Sequence, residues 1–142
     1  MAAEVNTLAS ATNGNWNQIK AISVGNELVN TGSASVEQVT SAVNSARSAL
    51  KAKGYTGPIT TVDTMMALQN HPQLCFDFCA INCHAFFDGN VLPGDAGKFV
   101  ANWAQKISQA AGGKRCVVTE SGWPTQGTAN NKAVRSTISP RS

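Results

Sequence analysis

The strongest constraint on the fold is an alternation of short strand patterns with longer helical patterns. Residues 19–24, 59–63, 78–84 and 115–119 are rich in β-branched and small apolar side chains. Helical patterns separate them, so the predicted order is strand, helix, strand, short helix, strand, helix, strand. Strands that alternate with helices pair in parallel through right-handed crossovers. The sequence therefore predicts an α/β fold built on four parallel strands.

The first helical pattern is the most regular of the three. Ser35 and Gln38 have the spacing of a capping box, and Gly54 ends the pattern. Between them, apolar side chains recur on one face of the predicted helix. These side chains are Val36, Val39, Val43, Ala46 and Leu50. The stripe is interpreted as core-facing.

Two further helices and a polar opening segment complete the pattern. A short helix is predicted within residues 65–74, broken near Pro72. A longer helix begins after Asp95, which is placed to cap it. Residues 2–17 are polar and poor in helical pattern, and they are predicted to contain only the end of a helix.

Composition and charge argue against several function classes. Charged residues are only 13% of the 142 residues, and neutral polar residues are abundant, which suits a secreted protein that faces sugars. The net charge of +3 is small and the eleven Lys and Arg are scattered, so nucleic acid is not an expected partner. No stretch is apolar enough to span a membrane, and residues 1–14 lack the apolar core of a signal peptide. An extracellular or cell-wall location is expected, with any signal peptide absent from this chain.

The cysteines are not spaced as a metal site. On a strand over residues 78–83, Cys79 and Cys83 would lie roughly 13 Å apart, at about 3.3 Å per residue. Zinc binds thiolates at about 2.3 Å, so they cannot share an ion. Two alternatives remain open: small buried core residues, or a disulfide that involves Cys75 or Cys116.

Polar side chains stand at the end of every predicted strand. Asn26 and Glu27 follow the first strand, Asp63 ends the second, His84 ends the third and Glu120 follows the fourth. The carboxyl ends of parallel strands share one edge, and the loops beyond them form the sites of α/β proteins. We expect these side chains to converge on one rim, where Asp63 and His84 would contact a substrate.

A pair of carboxylates at one rim suits the cleavage of a glycosidic bond. One carboxylic acid protonates the leaving oxygen, and a second carboxylate acts at the anomeric carbon. Glu27 and Glu120 are the candidate pair, and Asn26 can donate a hydrogen bond to a sugar 2-hydroxyl. Phe86 and Trp123 offer flat apolar faces to sugar rings. A serine hydrolase is not indicated, because the Gly-x-Ser-x-Gly motif is absent.

The two glutamate motifs resemble a known family. Residues 24–27, Val-Gly-Asn-Glu, and residues 118–125, Val-Thr-Glu-Ser-Gly-Trp-Pro-Thr, together resemble glycoside hydrolase family 17, the β-1,3-glucanases and glucanosyltransferases. Residues 82–89 are similar to fungal cell-wall members in particular. The resemblance implies a (β/α)8 barrel, a β-1,3-glucan substrate and retention of configuration, without a metal or organic cofactor. It also implies that Glu27 is the general acid/base and Glu120 the nucleophile.

The chain departs from that family in two respects. It holds four predicted strands, which the resemblance assigns to strands four to seven of eight, so residues 1–134 are predicted to form a partial barrel. Residues 135–142 are predicted to be a disordered tail. His84-Ala85-Phe86 also stands where the family has an aromatic-Pro-aromatic run. Open barrel edges would favour self-association. The alternative function is that of a catalytically inactive glucan-binding or wall-associated fragment.

Overall fold

The computed structural model describes residues 2–136, so residues 137–142 of the predicted tail lie outside the described residues. The helices are α1 (Ala2–Ala11), α2 (Val36–Ala52), α3 (Met65–Asn70) and α4 (Ala96–Ala110). The strands are β1 (Ile22–Asn26), β2 (Ile59–Thr64), β3 (Cys79–Asn82) and β4 (Cys116–Glu120). Short 3-10 turns occupy Trp16–Gln18, Pro72–Leu74, Ala85–Asp88 and Pro93–Asp95.

The four strands form a single parallel sheet in the order β1-β2-β3-β4. Asp63 of β2 is opposite Ile81 of β3, and Ile81 is opposite Val118 of β4. Because all strands run the same way, their carboxyl ends lie along one rim. The predicted α/β order is confirmed. Within residues 2–136, no helix is long and apolar enough to cross a membrane.

The core lies between one face of the sheet and the helices. Ile59 and Ile81 from the strands pack with Leu68 and Ile107 from the helices, and all four are almost fully buried. Burial of an aliphatic side chain of this size stabilises the fold by about 1.5–3 kcal/mol. This packing holds the sheet as a firm support for the rim.

Helix α2 begins and packs as the sequence predicts. The Ser35 Oγ accepts from the Gln38 amide at 3.2 Å, and the Gln38 Oε1 accepts from the Ser35 amide at 2.8 Å. This reciprocal pair satisfies two backbone donors at the start of the helix. The buried side chains of α2 are Val39, Val43, Ala46 and Leu50.

The segment before β1 departs from the predictions in two respects. The predicted helix end is present within residues 2–17, but as a ten-residue helix, α1, in which Val5 is the buried residue, so the segment is richer in helix than expected. An alanine-rich segment forms a helix by propensity and by contact with a neighbour, here α2, without a clear apolar stripe. β1 begins at Ile22, not at Ile19, because the Ile19 amide donates to the Trp16 carbonyl and closes a 3-10 turn.

Two of the four cysteines form a disulfide and the other two are free thiols within the packing. Cys75 and Cys79 form a disulfide across the turn that leads into β3. Cys83 and Cys116 are free, and both belong to the packing around the core. Burial, with a smaller contribution from the nearby Cys116 thiol, raises the pKa of the Cys83 thiol to about 11. Cys83 is therefore almost entirely a neutral thiol at pH 7.

Asp77 ties α2 to the start of β2. Its carboxylate accepts two hydrogen bonds from the Arg47 guanidinium, at 2.9 and 3.0 Å, and one from the Ile59 amide at 2.7 Å. Burial acts to raise the pKa of Asp77, but the hydrogen bonds from Arg47 and Ile59 and the Arg47 charge outweigh it. The pKa of Asp77 is thus held below its usual value.

We expect the Asp77→Asn substitution to destabilise the chain in a pH-dependent way. The lowered folded-state pKa means that the stabilisation is present above the unfolded pKa of about 3.9 and is lost as the pH falls through the folded value. Because the Arg47 and Asp77 side chains are 39% and 36% exposed, the expected cost at pH 7 is only about 1 kcal/mol. Urea unfolding of both proteins at pH 7 and pH 3 measures it.

The matched control is Asp95→Asn, since the Asp95 side chain makes no capping hydrogen bond to α4. Its unfolding midpoint should stay close to that of the wild type. A difference between wild type and Asp77→Asn that is as large at pH 3 as at pH 7 would contradict the electrostatic explanation.

Candidate active site

The end of β1 turns Glu27 into the rim through a bulge. The register with β2 shifts between Ser23 and Asn26. Gly25, inside this bulge, has φ +81°, and a Cβ there would lie 2.5 Å from the Leu28 Cδ1 atom. Only glycine fits such a close approach without a shift of its neighbour. Bulges of this kind redirect a side chain at the end of a strand.

Glu27 itself has an uncommon backbone conformation. Its φ is +52°, a region that few residues other than glycine, asparagine and aspartate adopt. Its amide still donates to the Val62 carbonyl at 2.9 Å, so the position is held by β2. Strained residues of this kind concentrate at functional sites. The side chain is half-buried.

Glu120 follows a second bulge, at the end of β4. Ile81 is opposite Val118, but Asn82 is opposite Glu120, so Thr119 is the extra residue. The Cys83 amide donates to the Glu120 carbonyl at 2.9 Å and continues the ladder beyond the bulge. Both candidate glutamates therefore leave the sheet immediately after an irregularity that redirects them to the rim.

Asn82 lies between the two glutamate-bearing strands. Its amide nitrogen donates to the Glu27 Oε1 at 2.9 Å and to the Asn26 Oδ1 at 3.1 Å. Its amide oxygen accepts from the Thr119 hydroxyl at 2.8 Å. The side chain is 2% exposed. Asn82 was not predicted as a site residue, although a polar residue closing the apolar run Cys79-Ala80-Ile81 was a visible signal.

His84 lies next to Glu120 at the rim, as expected for side chains at the ends of two neighbouring parallel strands. The His84 Nε2 and the Glu120 Oε2 lie 3.4 Å apart, which is long for a charge-assisted hydrogen bond. The Glu120 side chain is 50% exposed and the His84 side chain 31% exposed. A reacting group can therefore approach the Glu120 carboxylate directly.

Asp63 does not reach the rim surface. It is 1% exposed, and its carboxylate accepts from the amides of Val29 at 3.0 Å, Asn30 at 3.3 Å and Thr64 at 2.8 Å. It holds the loop after β1 against the end of β2, and so supports Glu27 from behind. A contact between Asp63 and a substrate, as the sequence suggested, has no exposed surface on which to form.

Aromatic side chains stand beside Glu120. Phe86 and Trp123 meet edge to face with ring centres 5.4 Å apart, and Phe87 is 75% exposed. With His84, Gly122 and Pro124 they line a cavity of about 300 Å³. The Asn130 amide nitrogen donates to the Phe86 carbonyl at 2.9 Å, and the Trp123 Nε1 donates to the Val134 carbonyl at 2.8 Å.

The arrangement offers two carboxylates, amide donors and flat apolar faces at one rim. Within residues 2–136, no group of three or more His, Cys, Asp or Glu side chains is placed to hold a metal ion.

A family model described as the BtgE/BtgC glycoside hydrolase domain matches residues 2–140. The chain belongs to this glycoside hydrolase family. The predicted membership of glycoside hydrolase family 17 is confirmed.

Relatives of this BtgE/BtgC domain are found among fungal proteins. The chain is 47% identical over 137 residues to the cell surface mannoprotein MP65 of Candida albicans. It is 46% identical over 137 residues to the probable family 17 glucosidase SCW4 of Saccharomyces cerevisiae. Each match covers 93% of this chain and 36% of the relative. The chain thus spans about a third of the length of these relatives.

A solved structure has the same fold. It is an active-site mutant of the Rhizomucor miehei β-1,3-glucanosyltransferase in complex with laminaritriose. The TM-score is 0.72 at 19% sequence identity, and the match covers 92% of this chain and 50% of the other. The BtgE/BtgC domain described here therefore has the fold of about half of that enzyme, which confirms the predicted partial barrel.

Proposed function

We propose that this chain carries the catalytic rim of a retaining glycoside hydrolase or glucanosyltransferase that acts on β-1,3-glucan. The observation that carries the proposal is the Asn82 network, which links the strand ends of Glu27 and Glu120 on one rim. The similar proteins include a probable family 17 glucosidase and a β-1,3-glucanosyltransferase, which support it.

The proposed reaction uses Glu27 as the general acid and Glu120 as the nucleophile. Glu27 gives its proton to the leaving glycosidic oxygen while a Glu120 oxygen bonds to the anomeric carbon, which breaks the glycosidic bond. Glu27, now a carboxylate, then removes a proton from an incoming hydroxyl, and the oxygen of that hydroxyl displaces Glu120. Each step is carboxylate chemistry, so the reaction as proposed uses no cofactor.

The other rim residues would hold the sugar. The Asn26 amide is placed beside Glu27 to donate to the 2-hydroxyl, where a hydrogen bond strengthens in the transition state. Phe86, Phe87 and Trp123 offer apolar faces beside Glu120, and His84 contacts Glu120 itself. Hydrolysis results when water enters the second step, and transfer results when a second glucan enters it.

The test is an analysis of products from the purified chain and a β-1,3-gluco-oligosaccharide. Proton NMR of the anomeric position during early turnover should show the β-product, because two displacements retain configuration. Chromatography then distinguishes shorter products, which mean hydrolysis, from longer ones, which mean transfer. An α-product would contradict retention. No product, together with binding of the oligosaccharide, would favour the inactive glucan-binding alternative.

We also propose an extracellular location at the cell surface. The buried Cys75–Cys79 disulfide suits an oxidising compartment, and one relative is named a cell surface mannoprotein. Labelling of intact cells with a membrane-impermeant biotin reagent tests it. A protein that is labelled only after lysis would contradict this location.

We expect the isolated chain to associate with a second copy through its sheet edges. Within residues 2–136, β1 pairs only with β2 and β4 only with β3, so each has one open edge. Two copies would supply the eight strands of a barrel, and unpaired edges are templates for pairing.

Light scattering after gel filtration should give the mass of a dimer. Ser23→Lys, which places a charge on the exposed part of β1, should weaken the dimer. A monomer at all concentrations would contradict this expectation.

A further inference from the structure

We infer that Asn82 is a positioning residue, which sets the orientation of both Glu27 and Asn26 for the reaction. This inference rests on the proposed function, because it assigns Asn82 a part in that same site. The Asn82 side chain is 2% exposed, so it is not open to direct contact with a substrate at the rim. It would therefore act through the two side chains that it holds.

The hydrogen-bond pattern fixes which way the Asn82 amide points. Its nitrogen faces two oxygens, the Glu27 Oε1 at 2.9 Å and the Asn26 Oδ1 at 3.1 Å. Its oxygen faces the Thr119 hydroxyl at 2.8 Å. A flipped amide would set its oxygen against a carboxylate oxygen and an amide oxygen. All of the donors and one acceptor of this amide are used, and a satisfied buried network of this kind is rigid.

This orientation distinguishes the two oxygens of Glu27. Oε1 accepts from Asn82, so a proton carried by Glu27 is held on Oε2. Oε2 is then the atom that donates to the leaving oxygen of the substrate. Loss of the Asn82 amide would let the carboxyl group rotate and place the proton on either oxygen. General acid catalysis depends on this geometry before anything else.

The same amide sets the role of Asn26. The Asn26 Oδ1 is occupied by Asn82, which leaves its Nδ2 as the atom to offer to a sugar hydroxyl. One buried side chain thus fixes the proton on Glu27 and the donor on Asn26.

The contact with Thr119 connects this arrangement to the nucleophile. Thr119 is the extra residue of the β4 bulge, directly before Glu120, and Asn82 is the register partner of Glu120. The Asn82 side chain therefore spans from the strand that carries the acid to the strand that carries the nucleophile. Small misplacements between reacting groups are costly, because proximity supplies much of the rate.

The first test compares two substrates in Asn82→Ala. On an unactivated β-1,3-gluco-oligosaccharide, kcat should fall about 10²-fold with little change in KM, the size of effect typical of lost general acid catalysis. On a dinitrophenyl β-glucoside the loss of kcat for the first displacement should be smaller, because dinitrophenolate leaves without a proton and only the contribution through Asn26 is lost. A merely structural role would lower both rates equally.

The matched control is Thr60→Val. Thr60 is also buried in the sheet, and its hydroxyl donates to the carbonyl of Phe78, the residue before β3, at 2.7 Å, so this variant also loses a buried hydrogen bond from β2. Its rates on the two substrates should keep the wild-type ratio.

A second measurement does not depend on activity. In nitrogen-15 NMR spectra, the side-chain amide protons of Asn82 should exchange slowly and should shift in Glu27→Ala, but not in Thr60→Val. Amide resonances that Glu27→Ala does not move would overturn the inference.

A wild type that turns over neither substrate would reject the proposed function, and the reaction role of Asn82 with it. An active wild type whose Asn82→Ala variant loses both substrates equally would reject the positioning role alone.

Discussion

Replacement of Glu120 by glutamine is expected to lower the turnover of β-1,3-gluco-oligosaccharides by about 10⁴-fold or more, the order seen when a catalytic nucleophile is removed. The amide has the shape of the carboxylate but carries no charge, so it cannot form a stable bond to the anomeric carbon. Its neighbour His84, 3.4 Å away, offers no carboxylate in its place. The rate of product formation, followed by chromatography, measures the effect.

The control for Glu120→Gln is Asp88→Asn. Asp88 is an exposed carboxylate on the loop after β3, where its Oδ1 accepts from the Asn90 amide at 3.2 Å. It is near the rim but is not part of the glutamate network, so its loss should change the rate little. Oligosaccharide binding by Glu120→Gln should remain, because the aromatic faces and the Asn26 amide are unchanged. More than about a tenth of the wild-type rate in this variant would contradict nucleophilic attack by Glu120.

Replacement of Glu27 by alanine is expected to have the second-largest effect. Loss of a general acid and base costs about 10²- to 10⁴-fold, and the full loss should be seen with the unactivated oligosaccharide. A dinitrophenyl glucoside should still form the glycosyl-enzyme, because its leaving group needs no proton. The breakdown of that intermediate should then be slow, since no carboxylate remains to activate water.

Added azide provides the decisive measurement for Glu27→Ala. A small anion needs no general base, so it should enter the space left by the side chain and restore turnover of the activated glucoside. The product should be the β-glucosyl azide, because the covalent bond to Glu120 is still displaced from the opposite face. The α-azide would instead show that no covalent intermediate forms. The absence of any rescue would argue that Glu27 is not the acid/base residue.

The two glutamates are supported by different amounts of tertiary structure, which affects how each variant should behave. Glu27 is half-buried and is held by Asn82 and by the Val62 carbonyl through its own amide. Glu120 is half-exposed, and within residues 2–136 its side chain has a single polar contact, the long one with His84. Replacing Glu27 should therefore perturb the unfolding midpoint more than replacing Glu120 does, because an amide donor is left buried without its partner.

Much of the fold followed from local sequence patterns. The capping box of α2 and its apolar stripe could be predicted because both depend on residues three or four apart. The parallel sheet followed from the alternation of elements. The full length of α1 did not follow, because its alanine-rich sequence has no periodic apolar face and its support comes from contact with α2. A disulfide that involves Cys75 was one of two open alternatives, and its partner, Cys79, was decided only by the turn between α3 and β3.

The sequence was sufficient to select Glu27 and Glu120 as candidates, since position at a strand end is a local property and the motifs around them are distinctive. The residues that surround the two glutamates could not be predicted in this way. The Asn82 amide meets Asn26 and Glu27 across 56 and 55 residues of chain, and no local pattern encodes such a distance. Asp63 had the same strand-end position as the glutamates, yet three backbone amides hold it under the loop after β1. Strand register and the two bulges decide which polar side chain faces solvent and which is buried, because a shift of one residue reverses the face on which a side chain lies.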